Sequence, residues 1–167
     1  MNQPSKFSPI IISTAIMTVI SLFPILNLIN LICCSGIIIG AYAGTAFYAK
    51  RLSAADSLIQ AKDGAAIGIL SGVLSALIVV GITTLITMIS STNPIPEMYK
   101  MIDKFGYQLP PEAEKMLQRI SEEYNKHGFS LTITLINFAA DIILYPLFGA
   151  LGGVLAASIY IKKQKAS

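Results

Sequence analysis

The feature that most constrains this chain is the length of its apolar stretches. Residues 64–90 contain no charged side chain, and the stretches at 8–29, 31–49 and 131–161 are nearly as apolar. Stretches of about 18 or more apolar residues are typical of membrane helices, which need about 20 residues to cross the hydrocarbon core. We therefore predict four transmembrane helices over these residues.

The composition agrees with a membrane protein. The chain is 54% hydrophobic and 13% charged, with a mean hydropathy of +0.68, whereas about a quarter of the residues of a soluble domain are charged. The net charge of +3 is small, and no dense basic run indicates nucleic acid as a partner. The sequence predicts one all-α, polytopic transmembrane domain over residues 1–167, with the lipid bilayer as its surroundings.

The first two stretches are separated by almost no sequence. Pro24, Asn27 and Asn30 lie at the junction, and these residue types interrupt helices and favour turns. We predict a tight helical hairpin. The stretch at 8–29 exceeds the 7–15 residues or so of a signal-peptide core, so it is predicted to be a retained helix.

The distribution of lysine and arginine predicts the orientation. With the N-terminus in the cytoplasm, the short inner segments contain seven basic residues: Lys6, Lys50, Arg51, Lys62, Lys162, Lys163 and Lys165. The outer loop at 91–130 contains five basic residues, but it is longer and also contains six acids. Because basic residues in short segments beside a membrane favour the cytoplasm, both termini are predicted to be cytoplasmic.

The extracytoplasmic loop at 91–130 carries two amphipathic patterns. In "PEMYKMIDKFG", apolar residues recur at helical spacing and Gly106 follows them; in "PPEAEKMLQRISEEYNKHG", proline and acids precede the pattern and Gly128 ends it. We predict two short amphipathic helices between the third and fourth transmembrane helices. Their apolar faces are expected to cover the ends of the bundle, the bilayer surface or a partner.

Glycine recurs at every fourth residue within three of the four apolar stretches. Small residues let membrane helices approach closely, because lipid gives no hydrophobic drive for their association. We predict glycine-zipper packing, either within the chain or in self-association. The residues concerned are Gly36, Gly40, Gly44, Gly64, Gly68, Gly72, Gly149 and Gly153.

Asp141 is the one acid within the four predicted spans. An ionisable residue in a membrane helix is costly to bury and is a candidate for function. Asn137, Asp141 and Tyr145 share one helical face, and Asn27 and Asn30 are expected at a similar depth. Three roles are open to this candidate polar site: a structural hydrogen bond, a proton or cation site, and a contact with a partner.

Other chemistry has little support in the sequence. Cys33 and Cys34 are adjacent, with no nearby histidine or CxxC pattern, so they are interpreted as small packing residues. His127 is the only histidine, and Gly128 follows it at a predicted helix end. No motif of a nucleotide-binding or hydrolytic enzyme occurs in a suitable context. We predict no metal, no cofactor and no enzymatic activity.

The first half of the chain resembles small four-helix bacterial membrane proteins of unknown function. The segments that carry this resemblance are "PILNLINLICC", "GIIIGAYAG" with "YAKR", and "DGAAIGILSG". The resemblance implies a membrane topology and not an activity.

Two functions remain open from the sequence. A non-catalytic structural or accessory membrane component would pack through its glycines and present the outer loop, with other membrane subunits or further copies as partners. A small ion or solute transporter or channel would instead use Asp141 with Asn137, Ser71, Ser75 and the threonines at 64–90. Replacement of Asp141 by asparagine separates these two hypotheses.

Overall fold

The computed structural model is all-helical over the residues it describes, which are 4–27, 30, 34–55, 57–90, 93–106 and 109–166. No strand occurs in these ranges. The described helices are α1 (Phe7–Leu22), α2 (Pro24–Asn27), α3 (Ser35–Ser53), α4 (Ala61–Ser90), α5 (Ile95–Lys104), α6 (Pro111–His127) and α7 (Leu131–Ala166). The all-α prediction is confirmed.

Two of the described helices, α4 and α7, are long and apolar enough to cross a membrane. Helix α1 is apolar but has 16 residues. Helix α3 has 19 residues, but its small residues and its basic end at Lys50 and Arg51 reduce its apolar character. Length and composition therefore support two of the four predicted crossings.

The first helix is shorter than predicted. It was expected to continue to about residue 29, but α1 ends at Leu22 and Phe23 is extended, with φ −83° and ψ 118°. The residue before a proline is disfavoured in the helical region, because its backbone clashes with the proline ring. Pro24 therefore ends α1 and begins the short helix α2.

The described chain forms two compact units. Unit 1 comprises Met1–Val79 and Ala140–Ser167, and unit 2 comprises Val80–Ala139. Helices α4 and α7 contribute residues to both units. The prediction of one domain over 1–167 stays a prediction, and each unit is described by itself.

In unit 1, the glycines of α3 face α1. A Cβ added to Gly40 would lie 2.6 Å from Met17 Cγ, and one added to Gly44 would lie 2.6 Å from the backbone oxygen of Pro9. Real Cβ atoms do not approach other atoms so closely. Glycine at these positions therefore lets α1 lie directly against the backbone of α3.

The glycines of α4 face α7 in the same way. A Cβ on Gly64 would overlap the backbone of Gly153, and a Cβ on Gly68 would overlap the backbone of Gly149. Around Gly72 the nearest atoms are the backbone of Tyr145 and Pro146. Three successive turns of α4 thus lie backbone to backbone on α7, and the described glycine rows pack within the chain.

Unit 2 contains the two helices predicted in the outer loop. Helix α5 begins after Asn93, whose side-chain oxygen accepts a hydrogen bond from the Ile95 amide at 3.0 Å. Helix α6 ends at Gly128, which has φ 75° and donates its amide to the Tyr124 oxygen at 2.9 Å. Glycine adopts this left-handed conformation without steric cost. Both predicted amphipathic helices are present.

Candidate functional site

The candidate polar site lies in unit 1, where the end of α1 contacts Tyr145 of α7. The Tyr145 hydroxyl donates a hydrogen bond to Ser21 Oγ at 2.7 Å. The Asn30 amide lies 3.4 Å from the same oxygen and donates to Asn27 Oδ1 at 3.1 Å. Three of the five predicted site residues are thus connected through Ser21.

The local chain path explains this cluster. Because Pro24 ends α1, the chain turns at once, and Asn27 and Asn30 fold back beside the last turn of α1. Cys34 then begins α3 with φ 54°, a conformation that is uncommon outside glycine. Cys34 also packs against the apolar cluster that contains Tyr145. Cys33 lies outside the described residues.

Asp141 is one helical turn before Tyr145 in α7 and is partly buried. Among the residues that the structure describes, it forms no hydrogen bond or ion pair with another side chain. Tyr145, and not Asp141, provides the hydrogen bond from α7 to α1. The acid is therefore adjacent to the hydrogen-bonded cluster without being part of it.

Asn137 does not join this cluster. It belongs to unit 2, where it is exposed and lines a small cavity of about 70 Å³. Three threonines of α4, at positions 83, 84 and 87, line the same cavity. Ser71 and Ser75, which were expected to line the same path as Asn137, belong to unit 1.

Ser71 and Ser75 belong to a hydroxyl network in the interior of unit 1. Ser13 Oγ lies 2.9 Å from Ser71 Oγ and 3.0 Å from the Gly40 oxygen. Ser75 donates to the Thr14 oxygen at 3.2 Å. These side chains are buried, and each hydrogen bond satisfies a polar atom that would be costly to bury alone.

Three further hydroxyls of the interior have no hydrogen-bond partner among the described residues. They belong to Thr18, Thr45 and Tyr48. Tyr48 is fully buried, and the Lys6 ammonium lies 6.0 Å from the centre of its ring. Unpaired buried hydroxyls are unusual, so the interior of unit 1 has hydrogen-bonding capacity that its own described side chains do not use.

The opposite end of unit 1 contains a buried ion pair that sequence reasoning missed. Lys6 Nζ lies 2.7 Å from Asp63 Oδ1, and the Asp63 side chain is 4% exposed. Asp63 Oδ2 also accepts a hydrogen bond from the Gln60 amide at 3.0 Å. In half of a capping box, an acid in the first helical turn accepts a hydrogen bond from the amide of the residue before the helix. The spacing of Gln60 and Asp63 in the sequence was therefore a usable signal for a helix cap at Asp63.

Ser21 was also missed in the sequence, although a pattern pointed to it. Ser13, Thr14, Met17, Thr18 and Ser21 recur at helical spacing in an otherwise aliphatic stretch, and all are buried or partly buried. A hydroxyl stripe on one face of an apolar helix indicates the face that turns toward other helices. That signal would have placed Ser21 in the site.

Unit 2 has one strongly perturbed carboxylate, Glu123. It accepts hydrogen bonds from Ser130 Oγ at 2.5 Å, from Thr132 Oγ1 at 2.7 Å and from the Thr132 amide at 3.0 Å. The bond from the Ser130 side chain, followed by the two from Thr132, lowers the pKa of Glu123 from 4.5 to about 2. Glu123 therefore joins α6 to the first turn of α7.

The comparisons add no identity to this geometry. No protein-family model, curated protein or solved structure matches the chain. The resemblance to four-helix bacterial membrane proteins stays a prediction. Functional inference rests on the arrangement of the residues themselves.

Proposed function

We propose that this chain is an integral protein of a bacterial inner membrane, in which α1, α3, α4 and α7 cross the bilayer. Both termini are cytoplasmic in this proposal, and the packed helices have a structural or accessory, non-catalytic role. The observation that carries it is the polarity of unit 1: buried hydroxyl side chains and glycine contacts share its interior with apolar residues such as Met17, Leu52 and Ile67, while large aliphatic side chains are exposed on its exterior.

The interior of unit 1 contains fully buried hydroxyl side chains. Ser13, Thr45, Ser71 and Ser75 are 0% exposed, and glycine backbones fill the helix contacts. Soluble proteins bury their large aliphatic side chains and expose their polar ones. Membrane helices instead associate through small residues and interhelical hydrogen bonds.

The exterior of unit 1 exposes large aliphatic side chains. Large aliphatic residues of α4 and α7 in unit 1 are about half exposed, and a soluble monomer rarely leaves such residues uncovered over whole helices. Lipid would cover them at no cost. These residues are Ile69, Leu70, Leu74, Leu77, Ile78, Ile143, Leu147, Leu151, Leu155 and Ile159.

The charges of unit 1 support the orientation. Its described lysines and arginine all belong to one end, where α1 and α4 begin and α3 and α7 end. Contacts across this end include the Lys6–Asp63 pair and a hydrogen bond of 2.8 Å from Gln164 to Ser53. A basic end opposite an uncharged hydroxyl and amide cluster fits the positive-inside rule.

The helix lengths are compatible with four crossings. At 1.5 Å per residue, α4 and α7 are about 45 and 54 Å long, and α1 and α3 are about 24 and 28 Å. The hydrocarbon core is about 30 Å thick. Short helices are accommodated by local thinning and by basic side chains that reach the surface, and Lys6 and Arg51 stand at the ends of α1 and α3.

The proposal is tested by purification of the tagged full chain from its native membrane. We expect the chain to stay in the membrane fraction after carbonate extraction and to co-purify in mild detergent with one partner at a fixed ratio, read by mass spectrometry. Release by carbonate would overturn the membrane assignment. A chain that purifies alone, or only with itself, would count against the accessory role.

A second candidate function is ion or solute translocation that uses Asp141. One observation favours it: Asp141 is a partly buried acid whose carboxylate pairs with no other described side chain. Intramembrane acids of this kind mark proton and ion pathways in many transporters. This candidate requires the hydroxyl side chains of unit 1 to continue the path from Asp141.

The second candidate is tested with purified protein in liposomes that contain a pH-sensitive dye. Asp141→Asn should abolish any proton flux, because asparagine cannot carry a proton between two sites. Asp103→Asn in α5 is the matched control, since Asp103 is an exposed acid. Flux that survives Asp141→Asn, or no flux from the native chain, would eliminate this candidate.

A further inference from the structure

Helix α5 has an apolar edge that unit 2 leaves uncovered. Met101 is 59% exposed and Phe105 is 74% exposed, whereas Ile95 of the same helix is buried. Phe105 directly follows the last residue of α5 and keeps helical backbone angles, so Met101 and Phe105, four residues apart, lie on the same side. We call this pair the α5 edge.

The α5 edge is close along the chain to a second exposed apolar surface of unit 2. The last turns of α4 expose Leu85, Ile86 and Ile89, the last of these by 84%. From Ser90 to Ile95 an extended chain covers at most about 17 Å. If α4 leaves the bilayer near its end, the first residue of α5 is held within that distance of the bilayer surface.

The polar side of α5 suits an interfacial position. Lys100 and Lys104 are exposed, and Lys104 lies beside Met101, three residues away on the helix surface. Long basic side chains extend their charge to the lipid headgroups while the apolar residues of the same helix enter the acyl boundary. Asp103 lies on the opposite border of the apolar face, away from the edge.

We infer that the α5 edge is a lipid-binding surface, with Met101 and Phe105 inserted at the boundary between headgroups and acyl chains on the outer side of the membrane. This inference rests on the proposed membrane location of α4. The accessory role alone assigns no partner to α5. In this inference the α5 edge contacts the bilayer, and α6 is the loop helix that is available to a protein partner.

Lipid fits this edge better than a protein surface does. A specific protein interface usually buries about 800 Å² on each partner around a packed centre, whereas the α5 edge consists of two neighbouring side chains. An interfacial helix needs only such a strip, because the bilayer adapts its shape to the helix and the affinity of the whole chain is already supplied by its membrane helices.

The test uses tryptophan fluorescence, because the native chain contains no tryptophan. The full chain with Phe105→Trp is reconstituted in phosphatidylcholine vesicles that carry bromine on the acyl chains, either near the headgroup or near the terminal methyl. We expect blue-shifted emission that loses most of its intensity with bromine near the headgroup, and loses less with bromine near the methyl.

Two further variants make the outcome specific. Asp103→Trp, on the polar side of the same helix, should emit at longer wavelength and be quenched by aqueous acrylamide instead of lipid. Leu151→Trp, at an outward position of α7 in unit 1 that is 49% exposed, should be quenched by lipid if the proposed membrane bundle is correct.

These variants separate failure of the inference from failure of the proposed function. Lipid quenching at 151 with water-exposed emission at 105 would overturn the inference alone. Blue-shifted emission at 105 without lipid quenching would also overturn it, since a protein surface or a second copy would then cover the edge. Lipid quenching at 105 but not at 151 would overturn the membrane bundle, and with it the membrane location of α4 on which the inference rests.

Discussion

At the scale of single residues, Glu123 shows how one carboxylate stabilises a junction between helices. The first amides of a helix have no partner within that helix, and the positive end of its dipole favours a negative charge. Glu123 supplies both a charge and an acceptor to the Thr132 amide. A side chain of α6 therefore caps the Thr132 amide, beside Ser130, whose hydroxyl oxygen accepts a hydrogen bond from the Ile133 amide at 3.2 Å.

We expect Glu123→Gln to lower the free energy of unfolding near neutral pH and to have little effect at low pH. The folded pKa of Glu123 is about 2 against an ordinary 4.5, so the carboxylate stabilises the fold fully above about pH 4.5 and loses this effect as the pH falls toward 2. Melting temperatures in detergent should thus differ most between native chain and variant near neutral pH, and should converge on acidification.

The matched control for this prediction is Glu122→Gln. Glu122 is exposed and approaches Lys126 only at 4.0 Å, and an exposed pair of this kind contributes little. Its melting temperature should follow the native chain at every pH. A constant difference between the native chain and Glu123→Gln from pH 7 to pH 2 would contradict the assignment.

The Lys6–Asp63 pair makes a second prediction at this scale. Lys6→Gln leaves the Asp63 charge buried without its partner, whereas Asp63→Asn leaves an ammonium that is 35% exposed and able to reach water. We therefore expect Lys6→Gln to lower the melting temperature more than Asp63→Asn does. The cost should fall below the 3–5 kcal/mol or so of a fully buried broken pair.

The double variant tests whether the two residues act together. Lys6→Gln with Asp63→Asn should recover part of the loss, because no unpaired buried charge remains. Lys62→Gln, at an exposed lysine of α4, removes the same charge as Lys6→Gln and should have little effect on the melting temperature. Additive losses in the double variant would show that the pair is not energetically coupled.

At the scale of elements, the helix contacts of unit 1 are contacts between backbones. Gly64 and Gly68 approach the backbone of α7 so closely that no side chain fits between the helices. Close approach gives van der Waals contact along three turns, the kind of contact by which membrane helices associate. The same helix carries Gly81, which has nothing within 4 Å of its added Cβ.

We expect Gly68→Ala and Gly81→Ala to have opposite effects. The Cβ of Gly68→Ala would overlap the Gly149 backbone, which cannot rotate away as a side chain can, and overpacking of this kind costs about 1–3 kcal/mol. Gly81→Ala meets no atom and should gain about 0.5–1 kcal/mol from helix propensity. Thermal unfolding of both variants in the same detergent checks this, and equal melting temperatures would refute the close contact.

The sequence predicted some elements well and others poorly, for identifiable reasons. Helices α5 and α6 followed from strong amphipathic patterns and from Gly106 and Gly128, which both have positive φ. The end of α1 did not follow, because hydropathy continues to Ile29 whereas the helix stops before Pro24. Backbone restrictions at one residue can override an apolar pattern of many.

At the scale of the whole molecule, the candidate site was predictable only in part. Asn27, Asn30 and Tyr145 were identified by residue type and expected depth, and the structure connects them. Ser21 connects them and was not identified, because serine is common in apolar helices. The capping spacing of Asp63 was a usable signal that was missed, whereas its ion pair with Lys6, which precedes α1, is not revealed by sequence periodicity.

The last prediction concerns the orientation of the whole chain. In a background with Cys33→Ser and Cys34→Ser, Gln118→Cys in α6 should react with a membrane-impermeant maleimide in intact cells, because the loop at 91–130 is proposed to be outside. Lys163→Cys, at the basic end of unit 1, should react only after lysis, since basic residues beside membrane helices favour the cytoplasm. Both positions are exposed in the structure, so burial cannot account for a difference in labelling. The reverse pattern would place the termini outside, and labelling of both positions in intact cells would mean that the two sites are not separated by a membrane.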